Sequence, residues 1–560
     1  MKKLLNSVVS MVTCMVVALL TWGVSSVIAA SQQSSNGQKL AHAAEHKDMQ
    51  LVGTNDLQSR STYQPTVHRY ANGQYILFAG HHARNTAGEG QLPDILPSFN
   101  PVTGKNDPNG TSIVDVTDPA HPVYLFHIPV GAPVDPPALP SNGGAQFTRV
   151  CDGSTLPIND NKVYLLRGYA NSAHEIWDVT DPKKPVGVRT VTGGNPIIGA
   201  ATGAPGALAG THKSWWECDT GIAYIVGRRG NDTANGWRPG NHIFIFNLGN
   251  PASPVFYRDW ALDGQQPGGV LPPHFTAIPS IHGPISTGPD SANNPIKGTG
   301  ATVNRVYFAY GTEENGVMQI ADRSKLLPPA AGGTGVTCGS IASTLDAPSC
   351  ATADFATAEV GRWVMNPING AHTSYPIGKI TIPDFVPNEE GVERDFVIVV
   401  SEETNNQCTG PRNLTYFVDV TEGGPGGTGA RPQNMANFQV PESDGAFCER
   451  GGRFGPHSTH EEFGPPFYQK IVFIADFNAG VRAVDIRDPF NPQEVGFYIP
   501  ATNDNTDFRC ATINGQQSCK IAIQTNNVAT DDRGFIYIVD RANTGLHVLQ
   551  LTGPGLDPLK

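Results

Sequence analysis

Four histidines occur in closely similar short contexts that lie far apart along the chain. The contexts read THKSWW, IHGPIS, AHTSYP and PHSTHE, and they carry His212, His282, His372 and His457. Neutral imidazole is a good ligand for zinc, copper and iron. If the fold brings these side chains together, the sequence predicts one transition-metal ion, with copper or iron favoured and zinc also compatible. A repeated chain also duplicates whatever its ancestor carried, so each histidine taken alone is better explained by a bond to a nearby carbonyl, and only the set of four favours a metal.

The segment GRFGPHSTHEEFGPP adds His460 three residues after His457, directly before Glu461 and Glu462. Helical zinc sites of the HExxH type need histidines four residues apart with a glutamate between them, and this segment has neither feature. In an extended strand, residues three apart point to opposite faces. We therefore expect His460 not to share an ion with His457 unless the strand is kinked, and it is a lesser candidate.

Two more histidines are lesser candidates because they lie in the first repeat. His68, in VHRYAN, aligns with the four main histidines, and His82, in GHHARN, lies in the following loop. His81 and His82 are adjacent, and adjacent residues at a strand end point to opposite sides. At most one of that pair is therefore expected to face the same site.

Acidic residues recur at one more equivalent position, in GTEEN, SEETN, ADFN and VDRAN. Glu313 and Glu402 are the candidates here, and Asp476 and Asp540 occupy the corresponding places. A ligating histidine usually donates its second N–H to a carboxylate or carbonyl. Glu313 and Glu402 are predicted to serve in that way or as a general base. The simpler interpretation of each is a solvated acidic turn.

Internal repeats explain how such distant residues become neighbours. Units such as TSIVDVTDPAHPVYLFHIP and HEIWDVTDPKKPVGVRTV consist of an alternating strand, a turn rich in Asp, Asn and Pro, and another strand. Seven copies recur at intervals of about 60 to 100 residues, which is typical of propellers or solenoids. Their central polar residues are Asp115, Asp178, Asn247, Asp322, Asp419, Asp485 and Gln550.

These repeats predict an all-β protein, a seven-bladed β-propeller with four-stranded blades. The last copy lacks an outer strand, and MQLVG (49–53) is predicted to supply it and close the ring, since closure removes an exposed sheet edge. The innermost strands of a propeller surround its channel. Equivalent positions of successive blades therefore lie side by side, and this places the four main histidines around the axis.

The IVDVTDP units resemble the LVIVD-repeat family of exported bacterial β-propeller proteins, over almost the whole chain after its N-terminus. The resemblance implies a propeller and a location outside the cytoplasm. It implies no particular chemistry, so function has to be argued from the site.

The N-terminus has the form of a signal peptide: Lys2 and Lys3, an apolar run, and small residues at Ala29 and Ala30. We predict a signal peptide at 1–30, a flexible segment at 31–48 and the propeller at 49–560, with an uncleaved membrane anchor as the rival interpretation. Eight cysteines remain after residue 30, and an even number in an exported chain favours disulfides. Cys338/Cys350 and Cys510/Cys519 are close enough for local loops, but the sequence leaves the connectivity open.

Composition excludes several classes of function. The formal net charge is −12, and no basic patch with interleaved aromatic residues occurs, which argues against nucleic acid as a partner. No second apolar run is long enough to span a bilayer, so no membrane insertion is expected after signal cleavage. The sequence has no P-loop, GxSxG elbow or EF-hand loop.

The sequence therefore predicts an exported propeller, periplasmic or extracellular, with a metal ion on its axis. The first hypothesis is a metal-dependent oxidoreductase acting on a small organic substrate. The second is a propeller without catalysis that binds an extracellular protein or glycan. The third is a metal-assisted hydrolase or lyase. The residues alone do not decide between these three.

Overall fold

The chain folds as a seven-bladed β-propeller, as the repeats predict. The computed structural model describes residues 42–82, 98–131, 144–169, 173–191, 208–230, 232–273, 275–291, 296, 303–335, 357–382, 392–422 and 430–560. Nearly all of these belong to the larger of two compact units, residues 44–560. The predicted signal peptide, Cys14, Cys338 and Cys350 lie outside the described residues.

Each of the first four blades is an antiparallel sheet, and its strands follow one another from the axis outward. Blade 1 consists of Thr62–Arg69, Tyr75–His81, Gly110–Asp115 and Val123–Pro129. Blade 2 consists of Thr148–Asp152, Val163–Tyr169, Ala173–Asp178 and Val186–Thr190. Blade 3 consists of Trp215–Trp216, Ile222–Arg229, His242–Asn247 and Val255–Trp260, with Leu208–Ala209 added beside the second strand. Blade 4 consists of Ile281–Ser286, Arg305–Tyr310, Val317–Asp322 and Glu359–Val364.

The last three blades follow the same order. Blade 5 consists of Thr373–Thr381, Glu393–Val400, Thr415–Asp419 and Gln433–Phe438. Blade 6 consists of Ser458–Thr459, Ile471–Ala475, Val481–Asp485, Gln493–Ile499 and the outer strand Glu45–Lys47. Blade 7 consists of Thr525–Thr530, Phe535–Asp540, Leu546–Leu551 and Met49–Asn55.

Short elements occupy the loops between these strands. Two hairpins pair Ser98–Asn100 with Lys105–Asp107 and Phe508–Ile513 with Gln516–Ile521. Two short α-helices are Arg323–Leu326 and Phe447–Arg450. The 3-10 turns are Leu57–Ser59, Pro329–Ala331, Glu442–Asp444 and Gly553–Leu559. Among the described residues, no helix is long and apolar enough to cross a membrane.

The N-terminal segment closes the ring. Met49–Asn55 pairs antiparallel with Leu546–Leu551, the third strand of blade 7. The preceding residues Glu45–Lys47, which sequence assigned to a flexible segment, pair with Gln493–Ile499 of blade 6. Two blades therefore take an outer strand from the N-terminus, which covers their edges against pairing with other chains.

The repeated polar residue of each unit has a local structural role. The Asp115 carboxylate accepts the backbone N–H of Thr117, and the Asp419 carboxylate accepts that of Thr421, at 2.9 Å in both turns. An aspartate that bonds the backbone two residues ahead stabilises the turn between neighbouring strands. The second strands are buried almost throughout, and each fully buried aliphatic or aromatic side chain contributes about 1.5–3 kcal/mol.

Three disulfides link the described cysteines. They join Cys151 to Cys218, Cys408 to Cys448, and Cys510 to Cys519. The first connects the inner strand of blade 2 to the turn after the inner strand of blade 3, so it links two neighbouring blades. These disulfides are compatible with an exported protein.

Candidate metal centre

The inner strands begin with a common irregularity that aims one side chain at the axis. In blades 1, 4 and 7 the register shifts between the residues that flank Tyr63, His282 and Asn526. In blade 5, His372 bonds the carbonyl of Val400, which is also the partner of Thr373 in the register. A β-bulge of this kind redirects a side chain, and bulges are frequent beside functional sites.

The four main histidines form a continuous arc at the centre of the ring. Ring centroids lie 4.4 Å apart for His212 and His282, 3.6 Å for His282 and His372, and 4.1 Å for His372 and His457. Tyr63 of blade 1 completes the circle, because its ring lies 5.1 Å from His212 and 5.4 Å from His457. Residues from five blades therefore meet at one point.

Among these imidazoles, His282 and His457 each have a ring nitrogen without a hydrogen-bond partner. Both nitrogens of His372 are bonded, Nε2 to the Tyr63 hydroxyl at 3.1 Å. His457 Nδ1 donates to the carbonyl of Asn526 at 2.6 Å, and its Nε2 has no hydrogen-bond partner. His372 Nδ1 lies 2.9 Å from the Thr373 hydroxyl. His282 is hydrogen-bonded to the backbone of His372, and its Nδ1 has no partner. An imidazole with one nitrogen bonded to oxygen and the other unbonded is the arrangement of a metal ligand.

One carboxylate joins the arc. The ligand atoms of His282, His372 and Glu402 all lie within 4.8 Å of one another. Glu402 Oε2 is 4.0 Å from His372 Nε2, and Oε1 is 3.7 Å from His457 Nε2. Arg453 donates to Glu402 Oε1 at 3.0 Å and so orients the carboxylate. Two imidazoles and a carboxylate that converge in this way fit a transition-metal ion.

Burial keeps the histidines neutral. It lowers the pKa values of His282, His372 and His457 well below 6.5, and neighbouring groups, other histidines of the arc, Lys213 and arginines, lower them further. For His212, burial and then Lys213 lower the pKa to about 3. Neutral imidazole is the form that binds metal ions, so the site needs no proton loss from these groups near neutral pH.

Three charged side chains, Lys213, Glu461 and Arg149, form a layer next to the arc along the inner strands. Lys213 is 1% exposed; its ammonium group is paired with Glu461 and donates to the Thr373 hydroxyl at 3.1 Å. Arg149 binds the other oxygen of Glu461 and stacks over Trp215 at 4.0 Å. Since Thr373 also bonds His372, this layer supports the orientation of that imidazole.

A cavity of about 640 Å³ opens on the other side of the arc. Its lining includes His82, His212, His282 and Glu402, which give it direct access to the candidate centre. Polar groups from the surrounding loops also line it: Gln146, Asn241, Thr312, Asn315, Thr404, Arg453 and Arg541. The cavity is large enough for a small organic molecule.

The lesser candidates fall in different places. His82 lies beside the arc, with its ring 5.0 Å from Tyr63 and its Nδ1 3.2 Å from the Gln146 amide nitrogen. His460 faces away: its Nδ1 accepts the backbone N–H of Phe473, and its ring packs against Tyr375. The expectation that His460 does not face the same point as His457 agrees with this placement.

The alignment of His68 with the main histidines was wrong. His68 lies near the far end of its strand, where its Nε2 bonds the Asp152 carboxylate at 3.0 Å. The residue of blade 1 at the axis is Tyr63, five residues earlier. Sequence reasoning missed it because it searched for histidine, and the register shift that marks the position is not visible in the residue pattern.

The recurring acidic residues also differ in what they contact. Glu402 contacts the arc, whereas Glu313 accepts hydrogen bonds from the Thr404 hydroxyl and the Asn405 amide. Asp540 accepts the backbone N–H groups of Gln524 and Ala542, each at 2.6 Å. The acidic residue after the second strand therefore hydrogen-bonds neighbouring loops in blades 4 and 7. In blade 5 it contacts the candidate centre.

Comparisons with known proteins agree with the repeat. The model of the LVIVD repeat family matches residues 468–499, which include the second to fourth strands of blade 6. No curated protein matches the chain.

Among solved structures, the β-propeller domain of Myceliophteria thermophila Cps50 (Swd1) is 9% identical, with a TM-score of 0.39 over 90% of this chain and 100% of that one. The Dos1 propeller is 9% identical, with a TM-score of 0.39 over 90% of this chain and 96% of that one. A protein of unknown function from Dyadobacter fermentans is 10% identical, with a TM-score of 0.36 over 91% and 99%. The chain is a seven-bladed β-propeller that carries an LVIVD repeat at residues 468–499.

Proposed function

We propose that this protein is an exported metal-dependent oxidoreductase that acts on a small organic substrate. The ion is held on the axis by His282, His372 and Glu402, with His457 and His212 beside them. The observation that supports this proposal is the convergence of three ligand atoms within 4.8 Å at a buried point. The unbonded ring nitrogens of His282 and His457 in the same arc support it further, because a buried polar atom without a partner is costly.

The donor set favours iron or copper. Two histidines and one carboxylate with open positions are typical of non-haem iron(II) oxygenases. Additional imidazoles nearby suit copper as well. A His₂Glu set also holds catalytic zinc in hydrolases, so a metal-assisted hydrolase is the second candidate function, and Glu402 is the observation that favours it.

The chain's own residues would orient the substrate and limit its approach. Arg453 and Arg541 line the cavity and suit a polar or anionic group on the substrate, since guanidinium binds carboxylates well. Lys213, Glu461 and Arg149 do not line the cavity; they occupy the channel beyond the arc. A bound ion would activate dioxygen or polarise the substrate. We expect the substrate to enter from the cavity side alone.

Metal analysis of the purified protein tests the proposal. We expect close to one equivalent of copper or iron after reconstitution, and loss of that ion in His372→Ala. His460→Ala is the matched control, because His460 is also buried but bonds a backbone N–H. Less than about a tenth of an equivalent of any transition metal would favour a binding propeller instead.

Redox activity then separates the two catalytic candidates. An oxidoreductase centre should change its electron paramagnetic resonance signal on treatment with ascorbate or dithionite. A centre that holds zinc stoichiometrically and shows no reducible ion would favour the hydrolase.

Export is the remaining part of the proposal. The leader-like N-terminus and the three disulfides support it. N-terminal sequencing of the mature protein from the extracytoplasmic fraction should begin near residue 31. A chain that keeps its first residues in the cytoplasm would contradict export.

A further inference from the structure

Tyr63 occupies the blade 1 place in the arc that histidines occupy in blades 3 to 6. Its side chain is 2% exposed, and its hydroxyl lies 3.1 Å from His372 Nε2. The same nitrogen is 4.0 Å from Glu402 Oε2. A phenol oxygen and a carboxylate oxygen therefore both lie within 4.0 Å of one imidazole nitrogen.

The backbone of blade 7 fixes the position of Tyr63. The Asn526 amide donates to the Tyr63 carbonyl at 3.1 Å, and the Asn526 carbonyl accepts from His457 Nδ1. One residue thus positions both Tyr63 and His457. The Tyr63 ring meets His82 and His457 edge-on, so packing holds it from two sides.

The Tyr63 hydroxyl has few hydrogen-bond partners. Within the described part of the chain, its one hydrogen bond is to His372. The Nδ1 of that imidazole lies against the Thr373 hydroxyl, and its Nε2 faces the Tyr63 hydroxyl. The Tyr63 oxygen and His372 Nε2 consequently lie side by side at the centre of the arc.

We propose that the Tyr63 oxygen is itself a ligand of the metal ion, together with His282, His372 and Glu402. This inference rests on the proposed function. On binding, the hydroxyl proton leaves to solvent in the adjoining cavity and the oxygen binds as phenolate. Two anionic oxygens and two neutral nitrogens then surround the ion and offset the charge of Fe(III) or Cu(II).

A purely structural Tyr63 would only fill space and hydrogen-bond His372. The two roles differ in a spectroscopic property, because a phenolate bound to Fe(III) or Cu(II) gives a ligand-to-metal charge-transfer band in visible light. Zinc gives no such band, so the probe is the protein loaded with Fe(III) or Cu(II) alone.

The experiment compares wild type, Tyr63→Phe and Tyr375→Phe after loading, with metal content and visible absorption measured on each. We expect the band in wild type and in Tyr375→Phe. Tyr375 is the matched control because it is also buried, but its hydroxyl donates to the Glu462 carbonyl. Tyr63→Phe should lack the band and bind the ion about 10- to 100-fold more weakly, the range seen when support of a metal site is removed.

Resonance Raman spectra of wild type with ring-deuterated tyrosine give a second measurement that does not depend on a variant folding. Shifted tyrosinate modes under the band support the proposal. A loaded wild-type protein without the band, or a band that persists in Tyr63→Phe, overturns the role of Tyr63 while the metal centre stands. A wild type that takes up no ion overturns the centre and this role together.

Discussion

Two groups of buried histidines in this molecule differ in whether both of their ring nitrogens are hydrogen-bonded. In blade 1, His81 bonds the Thr62 hydroxyl at 3.1 Å and the Ser112 hydroxyl at 2.7 Å. His127 bonds Ser112 at 3.2 Å and the carbonyl of Pro108 at 2.9 Å. Both ring nitrogens of both histidines are bonded. In the axial arc, by contrast, His282 and His457 each keep one nitrogen without a partner.

The contrast distinguishes histidines with both ring nitrogens hydrogen-bonded from histidines with one nitrogen left over. Leaving a buried donor or acceptor unbonded costs about 1–3 kcal/mol, and the blade 1 group avoids that cost with hydroxyls and a carbonyl. In the arc, the nitrogens of His282 and His457 remain unbonded where several rings converge, so the cost is not avoided. A ligand at this point would satisfy those nitrogens; His460 Nε2 and His547 Nδ1, which lie outside the arc, are also without a partner.

The largest expected effect is stabilisation of the protein by its ion. At a free concentration a thousand times the dissociation constant, a ligand that binds only the folded state stabilises it by about 4 kcal/mol. Thermal unfolding with metal and with chelator should show this in wild type and in Ser112→Ala. The same difference should be absent in His372→Ala. An equal metal effect in His372→Ala would show that the ion binds elsewhere.

Next in size is the removal of the hydroxyl shared by the blade 1 histidines. Ser112→Ala leaves nitrogens of His81 and His127 unbonded, so the free energy of unfolding should fall by roughly 2–4 kcal/mol. Ser374→Ala is the matched control, because the buried Ser374 hydroxyl has no partner. Urea unfolding of the metal-free protein measures both. Equal losses in the two variants would mean that the hydrogen bonds of Ser112 contribute little.

The two recurring glutamates should then differ in their effect on metal affinity. Glu402→Gln should weaken binding by about 10- to 100-fold, because it alters an anionic ligand and the ion pair with Arg453. Glu313→Gln, whose carboxylate bonds Thr404 and Asn405, should leave affinity within about twofold of wild type. Competition titration with a chromophoric chelator measures both constants. A stronger effect of Glu313 would reverse the assignment.

The smallest effect is a pH dependence of stability from blade 1. Burial, and next the charge of Arg60, lower the pKa of His127 well below 6.5. The unfolded chain therefore binds a proton below pH 6.5 that the folded chain does not, and stability falls as the pH falls. One such group contributes about 1.4 kcal/mol per pH unit. In His127→Gln, urea unfolding between pH 7 and 5 should show a slope shallower by about 1 kcal/mol per pH unit on average, since the full value is reached only well below pH 6.5. An unchanged slope would show that His127 is protonated in the folded state.

Much of the architecture was predictable because its signals are local. The alternating strands and the Asp-containing turns set each repeat, and the incomplete last copy indicated that residues 49–53 close the ring. The repeats also showed that His212, His282, His372 and His457 occupy equivalent places. The structure confirms the propeller and the closing strand, and it places these four side chains in one arc; their binding of a metal remains a proposal.

Other features depended on contacts between distant segments. The pairing of Cys151 with Cys218 and of Cys408 with Cys448 was left open by sequence, because connectivity depends on which blades are adjacent. The strand Glu45–Lys47 was missed since three residues carry no periodic pattern. Its position is set by the free edge of blade 6.

The sequence by itself determined the number of blades, the closing strand and the recurrence of histidine near the axis, since each follows from short patterns repeated along the chain. Only the tertiary structure decided which atoms converge. A shift of one residue at a bulge changes the face on which a side chain lies. Tyr63 lies at the centre because it is near the start of the inner strand of blade 1, whereas His68 is near its other end. Glu402 contacts the arc, whereas Glu313 bonds the Thr404 hydroxyl and the Asn405 amide.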